Sequence, residues 1–131
     1  MYKILLVEDD MALHYVYKKM KIWSENDFCI RKIASNGKEA LEMLENDEFD
    51  MVVTDIRMPV LDGIGLLKKM SEKKNDIYTI ILSSYDEFEY ARQAIEVGVD
   101  QYLLKPVTRM KLKNVLLELK DKIEQDQEQE D

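Results

Sequence analysis

Apolar runs of strand length recur along the chain: KILLV at 3–7, CIRKIA at 29–34, MVVT at 51–54, YTIIL at 78–82 and QYLL at 101–104. Between them the hydrophobic period becomes helical. Leu13, Val16, Tyr17 and Met20 fall at i, i+3, i+4 and i+7, as do Gly63, Leu66, Leu67 and Met70, and again Leu112, Val115, Leu116 and Leu119. That spacing marks one buried stripe on an amphipathic helix. Phe88, Ala91, Arg92 and Ile95 keep the register less cleanly, and Ala40, Leu41 and Leu44 give a shorter stripe. Asn36-Gly37 and Asp62-Gly63 supply cap residues before two of these helices, and Gly98 sits where a left-handed helix stop belongs. The predicted order is a strand followed by a helix, repeated five times. Strands this apolar, separated by helices, imply a parallel sheet covered on both faces and reached through right-handed crossovers, a three-layer α/β domain. EQDQEQED at 124–131 reads as an acidic helix end or tail.

A chain of 131 residues fits one domain, because domains most often run to about 100–150 residues. Hydrophobic residues at 46% and charged residues at 35% are ordinary for a globular fold and far from the signature of disorder. Acidic residues outnumber basic ones 27 to 19, for a net charge of −8, so the overall field repels nucleic-acid phosphates and anionic lipid. The N-terminal MYKILLVEDD reaches acid too soon for a secretory segment, and no apolar run approaches the length of a membrane span, so a cytoplasmic protein is expected. Cys29 stands alone, which fits a reducing compartment and a small strand hydrophobe. His14, also alone, reads as a packing or helix-surface residue rather than a metal ligand.

In an open parallel sheet all strands end on one edge, where ligands bind. The first predicted strand runs into Glu8, Asp9 and Asp10, the third ends on Asp55, the fourth on Ser83 and Ser84, and the fifth on Lys105 followed by Pro106. Carboxylates gathered this way raise one another's pKa unless a cation joins them. A hard divalent ion such as Mg2+, which takes a few oxygens and keeps several waters, suits the set. Asp55 then has a second use as a nucleophile forming an acyl phosphate, with the metal and Lys105 neutralising the transferring group. Taken singly, Asp10 also reads as the cap of the next helix, and Lys105 as a solvated loop lysine.

In this order and spacing ILLVEDD, VVTDIRMPVLDG, IILSS and YLLKP resemble the receiver domain of two-component response regulators, over about residues 2–123. The resemblance implies a flavodoxin-like αβα sandwich, (βα)5 with strand order 2-1-3-4-5, and a receiver domain at 1–123. It implies that Asp55 accepts a phosphoryl group from a histidine of a sensor kinase. Asp9 would hold Mg2+ directly and Glu8 through water, with Asp55 and the backbone carbonyl of Arg57 completing the protein ligands. Ser83 matches the switch hydroxyl, Lys105 the lysine that pairs with the phosphoryl group, and Tyr102 the aromatic whose rotamer follows the hydroxyl. A cis peptide is expected at Lys105-Pro106.

Some positions depart from the commonest pattern: Glu8 stands where aspartate is frequent, Ser83 where threonine is usual, and Ser84 where alanine or glycine is common. Arg57 and Tyr85 lie two residues past Asp55 and Ser83, where members of the family vary in phosphoryl lifetime. YDEFEYARQAIEVGVDQYLLKPV, with Trp23 and Phe28, is similar to receivers fused to AraC-type helix-turn-helix domains. That finer likeness implies a transcription regulator that touches DNA only through an output domain outside this chain. The alternative is a stand-alone receiver acting on a partner protein or in a phosphorelay. Output is expected through the face made by the fourth helix, fifth strand and fifth helix of the repeat, with a homodimer on phosphorylation. Other classes fit less well. A haloacid-dehalogenase-type phosphatase needs an aspartate where Arg57 stands, and a flavodoxin-like FMN carrier needs a Ser/Thr/Gly-rich loop after the first strand. A degenerate receiver would lack a site residue, and none is missing.

Overall fold

Alternate residues of a strand face opposite sides of a sheet, and the central strands here use that alternation to feed two separate cores. In the computed structural model, which describes residues 1–73, 76–84 and 88–129, the strands are β1 (Tyr2–Val7), β2 (Phe28–Ala34), β3 (Met51–Asp55), β4 (Tyr78–Ser83) and β5 (Gln101–Leu104). They pair in parallel in the order β2-β1-β3-β4-β5. Tyr85 and the side chain of Phe88 lie outside the described residues.

Ile4, Leu6, Met51, Val53, Ile80 and Leu82 point to one face and pack against α1 (Met11–Lys19), α2 (Ile22–Glu25) and α6 (Arg109–Gln129). Leu5, Val7, Val52 and Ile81 point to the other, under α3 (Gly37–Asn46), α4 (Gly63–Glu72) and α5 (Phe88–Val97). The three layers and the strand order are those implied by the sequence. The short α2 is an addition to the simple repeat. It is too brief to show a hydrophobic period, and it forms because Ile22 and Trp23 bury against the sheet while the Trp23 indole N–H donates to the Tyr17 carbonyl at 2.7 Å.

The caps are as expected. Asp10, Asn36 and Asp62 each accept a backbone N–H from the first turn of α1, α3 and α4, and Gly98 ends α5 at φ 93°. Two stripes differ in detail. Val16 of α1 is exposed, because Tyr17 alone of that pair faces the core. In α5 the buried line runs through Tyr90, Ala94 and Val97, and Ile95 is 69% exposed, since the sheet accepts only a narrow helix face at this position. The edge strand β2 carries an extra residue opposite Ile4/Leu5 and presents Arg31 and Lys32, both paired with Asp47, which blunts the open edge.

This placement predicts unequal costs for two truncations followed by urea unfolding. Leu116→Ala, in the core under α6, costs about 2–5 kcal/mol, whereas Ile95→Ala changes stability by no more than about 0.5 kcal/mol. A large loss for Ile95→Ala would mean that α5 is turned the other way.

Candidate functional site

Parallel pairing brings the polar strand ends to one edge. Glu8 and Asp9 follow β1, Asp55 is the last residue of β3, Ser83 the last of β4, and Lys105 follows β5. Asp55 stands beside Leu82 in the ladder, Ser83 beside Leu104, and the Lys105 N–H donates to the Ser83 carbonyl at 2.7 Å. Carboxylate oxygens of Glu8, Asp9 and Asp55 all lie within 4.8 Å of one another. Lys105 Nζ donates to Asp55 Oδ2 at 3.0 Å, and the Ile56 N–H donates to Asp55 Oδ1 at 3.0 Å. The Lys105-Pro106 peptide is cis.

Burial makes the charges in this pocket interact strongly. Glu8 is 2% exposed, and its carboxyl is pushed up to about 7 by burial first, then by the Asp55 charge and the hydrogen bond with Asp9; the Asp10 N–H and Lys105 pull it down. Among the described residues, Glu8 Oε1 is the buried side-chain polar atom with no hydrogen-bond partner. Burial also disfavours the Lys105 ammonium, but its hydrogen bond and attraction to Asp55 win, and its pKa is raised.

Ser83 is 0% exposed, and its hydroxyl bonds the Tyr102 hydroxyl and donates to the Ser84 carbonyl at 3.3 Å. Tyr102 is thus already in contact with the hydroxyl it was expected to follow. Arg57 sits in the loop after β3, with its guanidinium 5.6 Å above the Tyr90 ring of α5.

Several contributors carry no obvious signal in the sequence. Tyr17 reads as one member of a core stripe, yet its buried phenol, whose pKa burial raises, feels the charges of Lys105, Glu8 and Asp55. His14 donates a ring N–H to the Glu8 carbonyl, a packing role. Thr54 donates its hydroxyl to the Asp55 carbonyl at 2.9 Å. Gly63 reads as a cap residue, but a Cβ there would lie 2.3 Å from the same carbonyl oxygen, so only glycine lets α4 start against the end of β3.

The response regulator receiver domain model matches residues 4–117. The chain belongs to that family. This receiver domain is 39% identical over 116 residues to an uncharacterized response regulatory protein of Staphylococcus epidermidis, and 36% identical over 116 residues to the transcriptional regulatory protein HptR of Staphylococcus aureus. Each match covers 88% of this chain and 45% of the relative, so the receiver domain spans about half the length of these curated relatives. Among solved structures it is similar to the REC domain of AraT, a response regulator from Geobacillus stearothermophilus, with a TM-score of 0.87 at 35% identity over 96% of this chain and 98% of that one. No described helix is long and apolar enough to cross a membrane.

The raised Glu8 carboxyl has a measurable consequence for folding. It holds its proton more tightly in the folded chain than in the unfolded one, so its contribution to stability is fullest below the ordinary 4.5 and is lost as pH rises toward about 7. In metal-free buffer the urea midpoint of the native chain should fall across that window, and Glu8→Gln should flatten the decline. An equal decline in both proteins would show that Glu8 does not titrate there.

Proposed function

We propose that this receiver is a phosphoacceptor switch in which Asp55 takes a phosphoryl group from a histidine of a sensor kinase, the class of partner with which receiver domains interact. The observation that carries this reading is the charge arrangement itself: Lys105 bonded to Asp55 beside the Glu8–Asp9–Asp55 oxygens, with Glu8 Oε1 lacking a partner. Such a donor set, made of carboxylate oxygens and including a buried unpaired one, fits Mg2+. Asp9, Asp55 and the Arg57 carbonyl would hold the ion directly and Glu8 through water, and the ion would neutralise the oxygens of the transferring group.

An Asp55 carboxylate oxygen attacks phosphorus as the bond to the donor imidazole breaks, leaving an acyl phosphate on Asp55 and the electron pair on the departing nitrogen. Lys105, already on Oδ2, keeps its ammonium against the enlarged anion. The Ser83 hydroxyl, at the adjacent strand end, supplies a further donor once it leaves Tyr102. As Ser83 moves, Tyr102, one of its hydrogen-bond partners, shifts with it and reshapes the face of α5, β5 and α6. Driving a population from mostly off to mostly on takes about 5.5 kcal/mol of differential interaction, which the new bonds to the phosphoryl group must provide.

We assign residues 1–123 to the receiver and 124–131 to an acidic helix end or tail, and the cytoplasm as the site of action. Relatives of about twice this length, one named a transcriptional regulatory protein, support transcription as the output, reached through a homodimer and a DNA-binding domain outside this chain.

The test is treatment with acetyl phosphate and Mg2+, followed by mass and association state. The native chain should gain about 80 Da, one phosphoryl group, and associate; Asp55→Asn should do neither. Ser83→Ala should gain the mass but associate much less. An adduct that survives Asp55→Asn would refute the assignment of the acceptor.

A further inference from the structure

Three of the chain's four glycines serve a single loop, the one joining Asp55 to α4. Its base is closed by the Gly63 N–H donating to the Ile56 carbonyl at 2.7 Å, with Gly63 against the Asp55 carbonyl. Its tip is a γ-turn: the Leu61 N–H donates to the Pro59 carbonyl at 2.8 Å around Val60, whose φ is 71°. A β-branched residue at positive φ is strained. Val60 is also 76% exposed, so packing of its own side chain does not impose the turn.

What imposes it is the next residue. The Gly37 N–H, at the start of α3, donates to the Leu61 carbonyl at 2.9 Å, and a Cβ at position 37 would lie 2.5 Å from that oxygen and 2.9 Å from the Leu61 side chain. On the other side, a Cβ on Gly65 of α4 would lie 2.5 Å from Leu61 Cδ1. Leu61 is therefore clasped between two helices, and through it the strained loop carrying Arg57 is held to both.

We propose that Leu61, gripped by Gly37 and Gly65, is a positioning residue for the metal site: it holds the loop so that the Arg57 carbonyl and the Asp55 carboxylate meet Mg2+ with no rearrangement. This rests on the metal reading above. Residues behind a ligand commonly change metal affinity by about 10–100-fold when altered, and Leu61 acts on the backbone of one ligand and the strand end of another.

Magnesium titration calorimetry on the folded chain tests it, with far-UV circular dichroism of each variant. By helix propensity alone Gly37→Ala should be benign, so a loss of affinity reports the contact with Leu61. Gly37→Ala and Leu61→Ala should each bind Mg2+ about tenfold or more weakly while keeping their helical signal. Val60→Gly, which removes the strain and leaves the clasp, should raise the melting temperature and bind Mg2+ as the native chain does. Native-like affinity in Leu61→Ala would overturn the proposal while leaving the metal site intact; if Gly37→Ala does not fold, Leu61→Ala decides. Absence of Mg2+ binding by the native chain would instead overturn the metal reading, and this inference with it.

Discussion

Like charge held at close quarters is the constraint on which the rest of this structure depends. Two ionised carboxylates within 4.8 Å of each other repel by about 3 kcal/mol or more at an effective dielectric near 20, and Glu8 and Asp55 are buried besides. One ammonium, from Lys105, offsets part of that repulsion. Burial first, and the remaining repulsion from Asp55 after it, raise the Glu8 carboxyl, one oxygen of which is left without a partner. A chain that maintains such a pocket carries a standing cost, and the chemistry that relieves it is the arrival of positive charge.

The architecture supplies the means. Parallel strands end together, so residues far apart in the chain are neighbours at one edge. The central strands β1, β3 and β4 beneath them, buried on both faces, support that edge. Glycines are placed where backbone must meet backbone: Gly63 against Asp55, and Gly37 against the loop that follows it. Around Asp55 the backbone is thus set by close glycine contacts, while Glu8, Asp9, Lys105, Ser83 and Tyr102 contribute through rotatable side chains.

Those rotatable groups form a path from the acidic edge to the side of the domain. Ser83 bonds Tyr102 of β5, and the Arg57 guanidinium reaches Tyr90 on α5; both tyrosines pack against the core under α3, α4 and α5. Two contacts from the same strand-end region therefore reach the same side of the sheet.

The amino-acid sequence by itself determined the layered α/β architecture, because strand-length apolar runs alternating with helical stripes admit few other arrangements. It also determined the identity of the charged residues at the site, since each sits where its strand stops, and the caps at Asn36, Asp62 and Gly98, which are local matters. Only the tertiary structure decided features that arise from contact between distant segments. The face of α5 turned on which residues met the sheet, putting Ala94 inside and Ile95 outside. The α2 turn is too short to show a period and exists by burying Trp23. The proximity of Tyr17 to Lys105 and the clasp of Leu61 between two glycines belong to the same class. Periodicity reports what one element does with its own residues, whereas these depend on which atoms of another element occupy the space opposite.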